Sequence, residues 1–296
     1  MKFRFWGVRG SIPSPGPRTV RYGGNTTCIE VGTDDGTVII LDGGTGIFAL
    51  AQDLIARGRP VQANIFITHS HWDHIHGLPF FSPLFVKGSR VRLYGATDPV
   101  TGHGIEHVMG VQLQNSYFPV SEAQMDAIIE YRTLAFDETV QVGDAQVCNV
   151  VMNHPVTNLG YRISCNGKSM FFTGDHEAFY NQYPQDDPRH AACAQHIAQR
   201  TEAIDRCMQG VDALVMDCSY TREEYPAKRG WGHGTFDAAL ETAARVGAKA
   251  LYCTHHEPTR SDDELEAAFA QALARHPGLP AGLQVKLAYE GLEVQL

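Results

Sequence analysis

The stretch Thr68-His69-Ser70-His71-Trp72-Asp73-His74 places three histidines and an aspartate within six positions, directly after the apolar run Ile65-Phe66-Ile67. The run reads as a buried strand, and the cluster as the turn at its end. Imidazole and carboxylate are ligands for zinc, manganese or iron. On a tight turn, residues two apart point the same way. His69 and His71 can therefore hold one ion, while Asp73 and His74, slightly further along, reach a second. The alternative is a surface turn that happens to be rich in histidine. Against it stands the rest of the chain, where several other strands also end in ionisable residues of ligand type.

Working outward, residues 37–41 form an apolar strand ending in Asp42-Gly43-Gly44-Thr45-Gly46. A helix is predicted from Ile47 to about Arg57, with Ile47, Leu50, Ala51, Leu54 and Ile55 on one face. The glycine turn lacks the spacing of GxGxxG and of GxxxxGK[ST], so a phosphate cradle of those types is not expected. Asp42 can instead orient a metal-bound imidazole through its free N–H, or satisfy turn amides. Upstream, Phe3, Phe5 and Val8 mark a first strand, a loop rich in Pro and Gly covers residues 11–24, and Asp34-Asp35-Gly36 joins two strands as a hairpin. Downstream, residues 78–90 read as apolar loop and 91–95 as a strand. Residues 97–134 do not fit a repeating βα pattern and read as a loop-rich insertion, a lid or a dimer surface. His103 and His107 within it read as solvated loop residues.

Strands at 147–151, 159–165 and 169–173 follow, the last two joined by the hairpin turn Asn166-Gly167. A helix at 190–209, a strand at 211–216, a helix at 236–245 and a strand at 250–253 come next. Ser261-Asp262-Asp263-Glu264 is a capping box for the last helix, and two strands end the chain. Asp42, His69, His154, Asp175, Asp217 and His255 all fall at or just beyond the ends of apolar strands. In α/β folds the carboxyl ends of strands are where sites assemble.

The chain has 296 residues, 43% of them apolar, enough for a large core, and a net charge of −9. That charge weighs against long nucleic acid gripped through many phosphates. The seven cysteines contain no CxxC pair and read as reduced core residues of a cytoplasmic protein. No run approaches the roughly 20 apolar residues of a membrane span.

The run His69-Ser70-His71-Trp72-Asp73-His74 resembles the HxHxDH signature of the metallo-β-lactamase superfamily, and His154, Thr173-Gly174-Asp175 and Thr254-His255 follow in that family's order. The resemblance implies an α/β fold, a four-layer αββα sandwich, in a single domain over residues 1–296, with a dinuclear site in its cleft. It implies that His69, His71 and His154 bind one metal, that Asp73, His74 and His255 bind the other, and that Asp175 bridges them. Zinc is the first expectation for both ions, with Mn2+ or Fe2+ as alternatives. Phe5-Trp6-Gly7-Val8-Arg9-Gly10-Ser11-Ile12-Pro13 and Tyr22-Gly23-Gly24-Asn25-Thr26-Thr27 resemble bacterial proteins near the ribonuclease Z and phosphodiesterase branch. Gly232-His233-Gly234-Thr235 resembles the GHST of that branch, whose histidine assists phosphodiester cleavage. This sequence has Gly234 where serine is usual, and it shows no long basic Gly/Pro-rich arm of the kind ribonuclease Z uses to grip tRNA.

The implied chemistry is hydrolysis. Two cations sharing a water lower its pKa toward ~7, the resulting hydroxide attacks phosphorus, and Asp73 and His233 are the catalytic candidates. His233 is expected as general acid for the leaving alkoxide, or else as a helix-start neighbour bonded to turn backbone. The expected substrate is a small phosphodiester, a cyclic nucleotide or a short oligonucleotide. A lactone, lactam or thioester on the same site is the alternative. Ser70 stands where di-iron members of the superfamily carry a carboxylate, which opposes a redox site. The complete ligand set opposes a binding protein without catalysis. His76, His176 and His256 are not expected as ligands, and Asp217 is expected beside them rather than among them. No membrane partner is expected, and a homodimer is left open.

Overall fold

The computed structural model describes residues 1–58 and 60–296. In chain order the first half holds β1 (Lys2–Gly7), β2 (Cys28–Gly32), β3 (Val38–Leu41), α1 (Gly46–Ala56), β4 (Gln62–Phe66), α2 (Trp72–Ile75), β5 (Arg90–Gly95), α3 (Ile105–Gln112) and β6 (Ile128–Thr133). The second holds β7 (Thr139–Val142), β8 (Ala145–Val151), β9 (Leu159–Cys165), β10 (Lys168–Phe172), α4 (His190–Met208), β11 (Ala213–Asp217), α5 (Tyr225–Lys228), α6 (Phe236–Arg245), β12 (Ala250–Thr254), α7 (Asp262–Arg275), β13 (Gln284–Leu287) and β14 (Glu293–Gln295). Two seven-stranded sheets result, in the orders β14-β1-β2-β3-β4-β5-β6 and β13-β12-β11-β10-β9-β8-β7.

The apolar residues sort into three layers, which makes the architecture an αββα sandwich. Phe3, Phe5, Ile39 and Phe66 of the first sheet pack against Val147, Tyr161, Phe172 and Tyr252 of the second. Aromatic rings interlock across this gap: Phe3 meets Tyr252 edge-on at 5.4 Å, and Phe66 meets Tyr161 at 5.4 Å. Each fully buried aromatic of this kind contributes about 1.5–3 kcal/mol. On the outer face of the first sheet, Ile47, Leu50 and Leu54 of α1 and Ile105 and Met109 of α3 cover Ile40, Ile65 and Val91. On the outer face of the second, α6 and α7 cover Leu214, Leu251 and Cys253. Strands buried on both faces, such as β11 and β12, are apolar almost throughout rather than alternating.

Parallel pairing decides where the site forms. β3 and β4 run parallel, as do β10, β11 and β12, so their carboxyl ends emerge together at one edge of the sandwich. Two expectations need correction. Residues 97–134 are less irregular than expected: they contain α3 and β6, and β6 pairs parallel with β5 over six residues. β6 is an edge strand whose residues are half-exposed, so it lacks the apolar run that marks a central strand. Residues 78–90 likewise hold two short 3-10 turns, each with proline near its start. β7, an edge strand of four residues, has no counterpart in the sequence reading. Among the described residues, no helix is long and apolar enough to cross a membrane.

Candidate metal centre

Each ligand-type residue is delivered by a strand end. β4 runs into Thr68 and His69. Tyr161, buried in β9, donates to the Ile67 carbonyl at 2.7 Å and so ties that turn to the opposite sheet. His154 follows β8, Asp175 follows β10, Asp217 ends β11, and His255 follows β12. Asp42, beyond β3, and His255 both sit at positive φ, 61° and 57°. Left-handed backbone is uncommon for such residues and clusters at functional sites. Gly174 also has a φ of 57°. A Cβ there would lie 2.5 Å from Asn158 Oδ1, so only glycine allows the chain to turn Asp175 inward.

The seven sequence-predicted metal residues converge. His69, His71, His154 and Asp175 form one group and Asp73, His74, Asp175 and His255 another, with donor atoms of each group within 4.8 Å of one another. Asp175 belongs to both. Its Oδ2 faces His69 Nε2 at 3.5 Å and His154 Nε2 at 3.9 Å. Its Oδ1 faces His74 Nε2 at 3.2 Å and His255 Nε2 at 3.1 Å. Asp73 Oδ2 lies 3.3 Å from His74 Nε2 and 3.1 Å from His255 Nε2. His71 presents Nδ1, 3.1 Å from His154 Nε2.

The outward nitrogens of His69, His74, His154 and His255 are tied down, which assigns their inward ones as donors. His74 Nδ1 donates to Asp42 Oδ2 at 2.7 Å. Thr68 Oγ1 donates to the same carboxylate at 2.9 Å and accepts from His69 Nδ1 at 3.1 Å. Asp42 thus makes the contact expected of a carboxylate that orients an imidazole. His154 Nδ1 donates to the Gly232 carbonyl at 2.9 Å. His255 Nδ1 donates to Ser219 Oγ at 2.9 Å, and the Ser219 hydroxyl donates to Asp217 Oδ1 at 2.8 Å.

The donor set fits divalent cations. His69 Nε2, His74 Nε2 and Asp175 Oδ1 are buried without a hydrogen-bond partner. Orphaned polar atoms are costly in a folded interior, and a cation between them would satisfy all three. Burial pushes the His69 proton off well below its ordinary value, and His154 falls to about 4 for the same reason. His74 and His255 go the other way. Burial disfavours their charge, but the carboxylates around them outweigh it and raise both. Asp175 is buried, which opposes ionisation, yet the imidazoles of His255, His74, His233 and His69 hold it well below the usual carboxylate range.

His233 lies beside this cluster. Its Nδ1 donates to Asp217 Oδ2 at 3.0 Å and lies 3.7 Å from Asp175 Oδ2. Its ring stacks on His255 at 4.9 Å. Burial lowers its pKa, but Asp217 and Asp175 raise it to about 9 overall. The expected alternative, a histidine bonded only to turn backbone, is not what the geometry shows. Gly234 has a structural reason: a Cβ there would sit 2.4 Å from the Asp217 carbonyl oxygen, so serine does not fit this turn.

Residues outside the cluster are equally clear. His76 packs its ring against Trp72. His176 Nδ1 accepts the Asn153 N–H at 3.2 Å. His256 Nε2 donates to the Ala288 carbonyl at 2.8 Å. His103 and His107 stack on each other at 4.3 Å. Four contributors escaped the sequence reading as site residues. Ser219 supports His255, and the Ser11 N–H donates to Asp73 Oδ2 at 2.7 Å. Buried Glu177 accepts from the N–H groups of Gly230 and Gly232 and from Tyr225 Oη. Asn158 Nδ2 donates to the Thr173 and Asp175 carbonyls. None of these carries a spacing signal, because each acts across elements distant in sequence.

With the geometry in place, comparison with known proteins is direct. The family described as "Beta-lactamase superfamily domain" matches residues 37–256. Ribonuclease Z of Kineococcus radiotolerans is 25% identical over 285 residues, covering 86% of this chain and 85% of its own. The crystal structure of human tRNase Z, short form, superposes with a TM-score of 0.66 at 16% identity, covering 100% of this chain and 99% of its own. A diphosphatase from the PhnP family superposes with a TM-score of 0.63 at 20% identity, covering 100% of this chain and 97% of its own. The span of the family match, the shared sandwich and the clustered histidines and aspartates agree: this chain belongs to the metallo-β-lactamase superfamily, on the branch that includes ribonuclease Z, and is a metal-dependent hydrolase.

Proposed function

We propose that the protein is a phosphodiesterase with two divalent cations, zinc in the first instance, acting on a small phosphodiester. In this reading His69, His71 and His154 hold one ion, Asp73, His74 and His255 hold the other, and Asp175 is shared. The observation that carries it is the division of Asp175, one carboxylate oxygen toward each half of the cluster. When bound, a pair of such cations supplies Lewis acidity and an activated water at neutral pH.

The chain's own residues supply the rest. Asp217 holds His233 by Nδ1, which leaves Nε2 to deliver a proton to the departing alkoxide. With its pKa raised to about 9, His233 carries that proton at neutral pH. General acids in this role are typically worth about 10²–10⁴-fold. Asp73 accepts from the Ser11 N–H and stays ionised, since His74 and His255 overcome the burial that would protonate it. Glu177 fixes the turn that carries both the Gly232 carbonyl behind His154 and His233 itself.

The small-substrate part rests on the net charge of −9, which opposes a long polyanion. The names ribonuclease Z and tRNase Z among the relatives pull toward RNA. The test is hydrolysis of bis(p-nitrophenyl) phosphate by protein loaded separately with zinc and manganese, with His233→Ala alongside. Metal-dependent turnover that collapses in the variant is expected. Cleavage of a lactone or thioester without any phosphodiester turnover would overturn the reading.

A further inference from the structure

A cavity of about 440 Å³ opens beside His154, between the residues that follow Asp175, the start of α4 and the Gly230–Gly232 turn. That volume lies within the roughly 300–1,000 Å³ of small-ligand pockets. His154 and Gly232 form part of its wall, so it adjoins the metal cluster through His154.

Its walls combine two kinds of surface. Phe179, Tyr180 and Ile197 are apolar, while Gln182 and His196 bring hydrogen-bonding groups. Tyr180 is 39% exposed as a residue, and the Arg229 guanidinium sits 5.2 Å from its ring centroid. The wall is preorganised. Asn181 Nδ2 donates to the His190 carbonyl at 2.9 Å, and His190 Nδ1 donates to the Tyr183 carbonyl at 2.8 Å, which clamps the loop to α4.

The helix itself is unusual in what it buries. Of the 19 residues of α4, only Ile204 and Met208, near its end, are buried. Its earlier turns contribute little to the core, and His196 and Ile197 on them line the cavity instead.

A phosphodiester seated at the metal cluster would extend its next group past His154. A group that fits an exposed aromatic ring, a nearby cation and polar side chains at the margin is flat, aromatic and edged with donors and acceptors. We propose that this cavity is the subsite for a nucleobase carried by the phosphodiester, stacked on Tyr180 with Gln182 and His196 at its polar edge. The inference rests on the phosphodiesterase reading and narrows its substrate to nucleoside phosphodiesters. Stacking on an aromatic side chain is tolerant of base identity, so the site selects for a base over no base.

The test compares kcat/KM for thymidine 5′-(p-nitrophenyl phosphate) with that for methyl p-nitrophenyl phosphate, using zinc-loaded wild type, Tyr180→Ala and Tyr180→Phe. The ratio of the two values should fall about tenfold in Tyr180→Ala and hold in Tyr180→Phe, as expected for lost base stacking. An unchanged ratio in Tyr180→Ala overturns the subsite while leaving the phosphodiesterase reading intact, as does an equal fall in both variants. If zinc-loaded wild type cleaves neither ester, the phosphodiesterase reading fails. The cavity is then judged by calorimetric binding of thymidine 5′-monophosphate against inorganic phosphate. An advantage for the nucleotide that disappears in Tyr180→Ala upholds the subsite, and no advantage overturns it.

Discussion

The two halves of the metal centre meet at Asp175 and are built on opposite electrostatic plans. The half around His69, His71 and His154 is all imidazole, and burial strips its protons, with His154 down to about 4. The half around Asp73, His74 and His255 is rich in carboxylate, and its imidazoles are raised instead. Their supports differ too. The first leans on Thr68 and on one backbone carbonyl, that of Gly232. The second draws on the N-terminal loop through Ser11, on Asp42, and on the Ser219–Asp217 pair. Neutral imidazoles are ready to accept a cation, whereas charged ones must first lose a proton. The difference teaches that one fold edge can set imidazoles of opposite pKa shift side by side from nearly the same residue types.

The largest effect should come from the residue that belongs to both halves. Asp175→Ala should lower phosphodiester turnover by at least about 10³-fold, the scale of losing a preorganised electrostatic group. It should also reduce zinc content in both halves, as elemental analysis would read. If Asp175→Ala emptied only one half, the division of its oxygens would be meaningless. Next comes His233→Ala, which should cost about 10²–10⁴-fold in kcat with zinc content preserved. Loss of metal in that variant would instead make His233 a ligand.

A pH experiment separates the halves. In the metal-free chain, His74 and His255 both hold their protons to higher pH than an ordinary imidazole, because the carboxylates around them outweigh burial. Their contribution to stability is present below the ordinary imidazole value and is lost as pH rises through the raised one. His154, lowered to about 4, has the opposite sign. Its contribution is present above the ordinary value and is lost as pH falls toward 4. Zinc binding should therefore release protons from the second half and few from the first. Calorimetry at pH 7 in buffers of different ionisation enthalpy would read this. The His154→Ala chain, keeping the second half, should release more protons per ion than the His74→Ala chain, keeping the first. Equal release would break the comparison.

Smaller effects should follow from the supports. Asp42→Ala and Ser219→Ala should each weaken zinc binding by about 10–100-fold, Ser219→Ala in the second half alone and Asp42→Ala also in the first, since Thr68 behind His69 donates to Asp42, as competition with a chelator would measure. Smallest in function is Tyr161→Phe. It removes the hydrogen bond to the Ile67 carbonyl beneath the turn that serves both halves. It should cost about 1–3 kcal/mol of stability by urea denaturation and leave the relative strength of the two halves unchanged.

The halves also differ in how they read from sequence. His69, His71, Asp73 and His74 crowd one turn, and His154, Asp175 and His255 follow apolar strands, so periodicity and residue type mark them as candidates, as they do Asp42 and Asp217, and the family resemblance sorts them into two sets. The same signals show α1, the Asn166-Gly167 hairpin and the capping box at Ser261, whose reciprocal bonds with Glu264 are present. What could not be read is whatever depends on register between distant strands. Ser219 reaches His255 only because β11 and β12 pair with Asp217 opposite Thr254. Ser11 reaches Asp73 only because the N-terminal loop folds back, where His256 N–H donates to the Val8 carbonyl. β6 was hidden for a different reason: a half-exposed edge strand can carry Glu130 and Arg132 among its apolar residues, which blurs its pattern.

The central claim is a two-cation centre divided by Asp175, and the most direct measurement is an anomalous difference map from crystals of the zinc-loaded protein. Two peaks roughly 3.5–4 Å apart are predicted, one beside Asp175 Oδ2 with His69, His71 and His154, the other beside Oδ1 with Asp73, His74 and His255. A single peak, or two peaks with both Asp175 oxygens on the same ion, would contradict the account.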